Sequence, residues 1–319
     1  MLEKIVRRIE EELQCHHVVE NLVDRCSFPD LTSLLLDVYR KKTKKITPKA
    51  LLQQYMHNGF VQPAKANVCT SLQFDLLACS LLPHDFEMIE LSPLAPLGSN
   101  SVIATVDQNN AISTIRNIEV CSDPTNVLAL EAAARKQRLK DAKGLRNVKL
   151  ACSHRVVRGQ KFKGDSCFPH FRIFALATAG RDEGSCTFET DSLYEHISYF
   201  VEVLTRSQSL GIKVLDLAVH VTAIDESRLP VLQEKVVERL AVAYPSLRIQ
   251  FDQNRTSGRG YYCTVCYHIF AKDEAGEELC LVDGGCTDWT QQLLSNQKER
   301  FLISGLGSER LLVCTPHSS

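Results

Sequence analysis

Phe301-Leu302-Ile303-Ser304-Gly305-Leu306-Gly307-Ser308-Glu309-Arg310-Leu311 is the stretch on which the fold turns. An apolar run of strand character ends in two glycines, and a glycine lets backbone approach a ligand closely because it has no Cβ. Arg310 then falls where a helix should start, and the free N–H groups of a helix start favour an anion. A strand, a glycine pair and an arginine at a helix entrance together describe an anion site on a sheet, although a lone G-x-G is weak evidence.

Two earlier stretches fit the same picture. Ser153-His154-Arg155-Val156-Val157-Arg158-Gly159-Gln160 reads as a strand, followed by a polar loop through Gly164-Asp165-Ser166 and a returning run, His170-Phe171-Arg172-Ile173-Phe174. A hairpin with an inward arginine and an aromatic suits a nucleotide, since guanidinium binds phosphate bidentately and holds developing charge. Taken alone, Arg158 reads equally as an arginine on an exposed hairpin. The third stretch runs from Arg255 through Gly258-Arg259-Gly260-Tyr261-Tyr262 to Leu281-Val282-Asp283-Gly284-Gly285-Cys286. Paired tyrosines entering a strand, opposite a Gly-Gly turn, can wall a small polar ligand, or can be core packing and a tight turn.

The rest of the chain supplies the frame. Helical spacing of Leu2, Ile5, Ile9 and Leu13, a second run after Pro29-Asp30, and a third opened by Thr47-Pro48 make residues 1–60 a helical region. The basic run Arg40-Lys41-Lys42-Thr43-Lys44-Lys45 is a phosphate candidate whose plainer reading is a solvated helix end. Residues 61–319 form the second unit, with β-rich runs from about Phe86 separated by helices. Glu87 to Leu91 alternates as a strand. Asp123-Pro124-Thr125 opens an alanine-rich helix. Strands are expected at Val156–Val157, Phe171 to Ala177, Val214 to Ile224, Leu247 to Phe251, Tyr261 to Ala271, Glu278 to Asp283 and Phe301 to Ser304. Asp273-Glu274-Ala275-Gly276 reads as a hairpin connection. The expected class is α+β, a mostly antiparallel sheet flanked by helices with a helical region in front.

Composition excludes several classes. With 319 residues, 44% hydrophobic, 24% charged and a net charge of −1, the chain is globular and has no global attraction for a polyanion. No apolar run reaches the ~18 residues of a membrane span, and the charged N-terminus is unlike a signal peptide, so a cytoplasmic location is expected. Thirteen scattered cysteines suit reduced thiols. Cys263 and Cys266 form a C-x-x-C, but on one strand they would face opposite sides, so no metal is expected there.

In this order the three stretches resemble the catalytic core of class II aminoacyl-tRNA synthetases, over about residues 80 to 314. The Arg158 hairpin resembles motif 2, Gly305 to Arg310 resembles motif 3, and Glu87 to Pro93 sits where motif 1, a dimerising strand ending in proline, belongs. The histidyl branch is the nearest: Tyr261-Tyr262 and Gly284-Gly285 resemble its tyrosine and glycine pairs, and Asp123-Pro124-Thr125 resembles the acid-x-threonine that holds an amino group.

The resemblance implies activation of an amino acid or similar small acid by ATP with Mg²⁺. Arg158 would bind the α-phosphate and the acid's carboxylate, Phe171 or Phe174 would stack on adenine, and Arg310 would grip the γ-phosphate. Gln160, Gly305 and Gly307 would complete the nucleotide site. Asp123, Thr125, Arg259, Tyr261, Tyr262, Gly284 and Gly285 would hold the acid, with tRNA or a protein as acceptor. Phe86, Met88, Ile89 and Leu91 would form an apolar strand edge that a homodimer covers.

Several positions depart from the pattern. Gln160 stands where motif 2 has glutamate, the arginine before the tyrosine pair is shifted or missing, and Cys286-Thr287 replaces arginine-tyrosine after the glycine pair. Only nine residues follow Arg310 and Pro316 would end any helix, so no anticodon-binding domain is expected there. The other reading is a silent paralogue that binds a small ligand and regulates a partner, like the regulatory subunit of ATP phosphoribosyltransferase.

Overall fold

The computed structural model describes residues 2–139, 147–160, 169–272, 276 and 278–314. The expected polar loop through Gly164-Asp165-Ser166, Asp273 to Ala275 of the expected hairpin connection, and Pro316 lie outside them.

Local capping sets the N-terminal helices. They are α1 (Leu2–Leu13), α2 (Val18–Arg25), α3 (Phe28–Thr43) and α4 (Pro48–His57). Ser27 caps α3 by accepting from Asp30 N at 3.3 Å, and Thr47 caps α4 by accepting from Ala50 N at 3.2 Å, with proline in the first turn of each. None of the four buries a residue fully. Arg40, Lys41 and Lys42 occupy the last turn of α3, where Asp37 pairs with the first two, so this run is a solvated helix end. A fifth helix, α5 (Val68–Ser80), escaped the sequence reading because its apolar residues point both ways. Phe74 and Ala78 are buried while Val68, Leu72 and Leu76 are exposed.

The remaining elements are β1 (Glu87–Met88), β2 (Leu94–Pro96), β3 (Ile112–Ser113), β4 (Ile118–Val120), α6 (Pro124–Leu139), β5 (Val148–Val157) and β6 (His170–Arg181). After them come α7 (Thr187–Arg206), β7 (Leu215–Ala223), α8 (Leu229–Leu232), α9 (Arg239–Ala243), β8 (Arg248–Phe251) and β9 (Val265–Lys272). The chain closes with β10 (Glu278–Thr287), α10 (Trp289–Leu294), β11 (Glu299–Leu306) and α11 (Ser308–Cys314). Eight strands make one sheet in the order β1-β5-β6-β11-β10-β9-β7-β8, antiparallel except for the outer pairs β1/β5 and β7/β8. Strands β2, β4 and β3 form a small second sheet. The fold is α+β, as the alternation of strands and helices implies.

Each face of the large sheet carries its own core, because alternate residues of a strand point to opposite sides. On one face Phe174 and Leu176 of β6 pack with Leu193, Ile197 and Phe200 of α7. On the other, Ile173, Ala175 and Ala177 pack with Leu128 and Ala132 of α6 and Trp289 of α10. Most of the candidate site residues gather on this second face, beyond the reach of α6.

Three expectations need correction. Tyr261 and Tyr262 do not begin a strand: both backbone N–H groups donate to Gly258 O, and β9 starts at Val265. Gly284 and Gly285 are not a turn but lie inside β10. The run Phe86 to Leu91 is not an exposed apolar edge either. Phe86 and Leu91 are buried, only Met88 of the four is strongly exposed, and the paired strand is two residues long.

Candidate functional site

A cavity of about 730 Å³ opens on the α6 side of the sheet, and most of the residues singled out from sequence line it. Five segments build it: the entrance of α6, the β5–β6 hairpin, the β11–α11 junction, the turn before β9 with the start of β10, and the stretch between β2 and β3.

At the entrance of α6, Asp123 Oδ1 accepts from Thr125 N at 3.0 Å and from the Thr125 hydroxyl at 2.7 Å. A short polar side chain in this position satisfies helix N–H groups that have no partner of their own. The other oxygen faces Arg158, whose Nη2 lies 3.4 Å from Oδ2 and whose Nε donates to Ser122 O at 3.1 Å. Arg158 follows the end of β5, with its backbone N–H bonded to Pro169 O across the hairpin. Its guanidinium also lies 5.1 Å from the centre of the Phe171 ring, so the aromatic and the cation of the hairpin meet. Gln160 lines the same wall.

At the other end, α11 is tied to β6 by its first turn. Glu309, nearly fully buried, accepts from Arg172 N at 3.1 Å and pairs with Arg155 at 2.7 Å, while the Ser308 hydroxyl donates to Arg172 O at 3.3 Å. These contacts aim Arg310 back over the cavity, where its Nη1 donates to Cys280 O at 3.2 Å. Gly305 and Gly307 line the cavity beside it. Arg155 extends the network, donating to His170 Nδ1 at 3.0 Å, and His170 Nε2 donates to Gln62 O at 2.8 Å. The segment leading out of α4 is thus bonded to the hairpin that carries Arg158.

Tyr261 and Tyr262 form the side wall with rings at 83° to each other, and Tyr261 packs edge-on against Trp289. Burial pushes both phenols well above their ordinary range, with nearby aspartates adding to it, so both stay protonated. Arg259 also lines the cavity, its Nε donating to Arg255 O at 3.1 Å. Neither Arg259 nor Arg310 has a carboxylate partner among the described residues.

Three expected site residues lie elsewhere. Phe174 is fully buried on the opposite face of β6, against Tyr199, because it is an odd number of residues from Phe171. Gly284 and Gly285 do not line the cavity. They let other side chains lie flat on the sheet: a Cβ at 285 would come within 2.7 Å of Tyr262, and one at 284 within 2.6 Å of Tyr267. Cys263 sits in the turn, its thiol donating to Cys286 O at 3.3 Å, while Cys266 is buried in β9, so the two do not share a strand as expected. Among the described residues no group of three His, Cys, Asp or Glu could hold a metal, the eleven cysteines whose side chains are described are free thiols, and no helix is long and apolar enough to cross a membrane.

Sequence reasoning missed Asn100, Thr105 and Asn110, which close the cavity from the segments between β2 and β3, and the apolar Ile173 and Ile303 on its floor. The polar three sit in no periodic pattern. Ile173 was readable in principle, being two residues from Phe171 on one strand.

No family model and no curated protein matches the chain. Solved structures do. Histidyl-tRNA synthetase of S. aureus superposes with a TM-score of 0.56 at 16% identity, over 77% of this chain and 64% of that one, so the chain spans less than two thirds of it. A protein of Bacillus halodurans described as an ATP phosphoribosyltransferase regulatory subunit/histidyl-tRNA synthetase gives 0.58 at 13% identity, over 81% and 83%. The histidine–tRNA ligase subunit of Alicyclobacillus acidocaldarius gives 0.57 at 10%, over 80% and 95%. At these identities the likeness establishes a class II synthetase-like fold.

Proposed function

We propose that the cavity binds ATP and a small carboxylic acid, an amino acid or a close relative, and joins them as an acyl-adenylate. The observation that carries this is the convergence of Arg158 and Arg310, from opposite ends of the sheet's sequence, on one cavity walled by Tyr261, Tyr262 and Gly305. Two further points support it. Arg259 and Arg310 have no carboxylate partner among the described residues, which suits a polyphosphate, and Phe171 beside Arg158 offers an aromatic face for adenine.

In the proposed step one carboxylate oxygen of the acid attacks the α-phosphorus. The new O–P bond forms as the bond to the pyrophosphate oxygen breaks, and pyrophosphate leaves. No general base is needed because the nucleophile is already ionised. Arg158 orients the carboxylate and the α-phosphate and takes up charge that grows between them; Arg310 holds the far phosphate in line. Asp123, braced by Thr125, receives the acid's amino group. Among the described lining residues only Asp123 and Asp283 carry carboxylates, and each has at least one oxygen committed to a protein partner, so Mg²⁺ would enter on the phosphates of ATP as part of the substrate.

The test is pyrophosphate exchange into ATP across the twenty standard amino acids. Exchange with at least one acid is expected, and silence with all of them overturns the reading. A second reading, a silent paralogue that binds a small ligand and regulates a partner, is favoured by Gln160 in place of a carboxylate and by the description of the Bacillus halodurans neighbour. It predicts binding without exchange. A homodimer is proposed on the motif 1 resemblance, with Val68, Leu72 and Leu76 of α5 rather than the β1 edge as the exposed apolar face. A monomeric mass at micromolar concentration counts against it.

A further inference from the structure

The cavity holds a second carboxylate for which adenylate formation has no use. Asp283 stands in the middle of β10, directly opposite Gly305 of β11 on one side and His268 of β9 on the other. Because Gly305 has no side chain, the space beside the carboxylate stays open toward the cavity. The side chain is 48% exposed in an otherwise buried part of the strand. Arg255 Nη2 at 2.9 Å and His268 Nε2 at 3.5 Å both approach Oδ1. No described contact falls on Oδ2.

Neutralising Arg255, whose side chain is nearly fully buried, accounts for Oδ1 but not for an open Oδ2 in the cavity wall. Burial raises the carboxyl's pKa, but the His268 and Arg255 contacts outweigh it and hold the group below the usual range, so it is ionised at neutral pH. Beside it the lining includes the aliphatic Ile173, whose Cγ2 would be 3.2 Å from a Cβ at Gly305, and Ile303. Asp283 is therefore a fixed anion in the cavity wall with aliphatic side chains next to it.

We propose that Asp283 selects the acid by its far end: the site takes an α-amino acid whose aliphatic side chain ends in a permanent cation, an amine or a guanidine. The assignment rests on the activation reading for the placement of the carboxylate and the amino group. The methylenes lie along Ile173 and Ile303, and the cation meets Oδ2. A neutral imidazole or a methyl end leaves Oδ2 without a charged partner.

The test uses the full chain with ATP and Mg²⁺, comparing lysine with norleucine and arginine with citrulline by calorimetric binding and by pyrophosphate exchange. The cationic member of each pair should be favoured about tenfold or more, the scale of one charge-assisted contact. Asp283→Asn should bring the pairs to near equality. Since that variant strips the partner from a buried arginine and can unfold, the wild-type comparison decides by itself. Binding of lysine or arginine without exchange supports the selection and removes the activation step. Exchange driven best by a neutral acid or by histidine leaves activation standing and overturns the selection. No binding of any cationic acid, with no exchange, overturns both.

Discussion

Arg158 reaches Asp123 at 3.4 Å across the join between the hairpin and α6, with side chains 32% and 22% exposed. The contact is long for an ion pair, and Asp123 is fastened more tightly to Thr125 than to the arginine. Both groups are thus held in place yet free to take a ligand between them.

Asp123→Asn keeps the acceptor that caps α6 and removes only the charge. The melting temperature should stay close to wild type, since an exposed or half-exposed pair contributes about 1 kcal/mol or less. The concentration of acid needed for half-maximal exchange should rise about tenfold or more, reflecting a lost charge-assisted contact of about 1.5–3 kcal/mol. An unchanged acid requirement removes Asp123 from the acid site.

Glu309 is a buried carboxylate whose cation is Arg155. Arg155→Ala leaves that charge without its cation; because Arg155 is itself 34% exposed and Glu309 keeps its bond from Arg172 N, the cost falls below that of a fully buried pair, at about 1–3 kcal/mol. Urea denaturation should show the loss, and adding Glu309→Gln should restore a large part of it. A loss below about 1 kcal/mol in the single variant means that the pair does not anchor α11.

His196 of α7 is fully buried between the Thr178 hydroxyl at 2.9 Å and the Ser304 hydroxyl at 2.8 Å, and burial pushes its pKa down to about 3. In the unfolded chain it titrates near its ordinary ~6.5. Between these values the unfolded state binds more protons, so stability falls as pH drops below about 6.5, by up to about 1.4 kcal/mol per pH unit. Above that window the group contributes no pH dependence. His154, also lowered by burial, acts with the same sign. Unfolding free energies of wild type and His196→Gln between pH 5 and pH 7, chosen as about this window, should differ in slope accordingly; equal slopes refute the assignment.

How much of this was legible in the sequence depended on whether one short stretch carried the signal. The β5–β6 hairpin, the β11–α11 junction and the entrance of α6 each carry a strand pattern, a glycine pair or a cap, so Arg158, Arg310 and Asp123 stand out as candidates, although each stretch alone also has a plain structural reading and only their order joins them. Helix α5 could not, because apolar residues around its whole circumference blur the 3.6-residue period. Phe174 was placed in the site by its aromatic character, whereas the two-residue period of β6 sends it to the far side. The glycine pair of β10 read as a turn, since a sequence does not reveal that Tyr262 and Tyr267 need the space.

That last point gives a direct test of the side wall. At Gly285 a Cβ would lie 2.6 Å from Val265 O and 2.7 Å from both Cys266 Cβ and Tyr262 Cδ1. Gly285→Ala should therefore cost about 1–3 kcal/mol, the usual penalty for overfilling a packed interior. It should also shift the Tyr262 ring and weaken binding of the acid. Wild-type stability and binding in this variant show that the pair has no packing role.

The central claim, one nucleotide held by two distant arginines, is tested most directly by titrating Mg·ATP into the purified chain in a calorimeter, for wild type and for Arg158→Ala, Arg310→Ala and Arg40→Ala. The account predicts a saturable signal in wild type, a loss of roughly ten- to hundredfold in affinity for each of the first two variants, corresponding to about 1.5–3 kcal/mol per charge-assisted contact, and near wild-type binding for Arg40→Ala. No signal at millimolar nucleotide, or equal affinity in all four proteins, would contradict it.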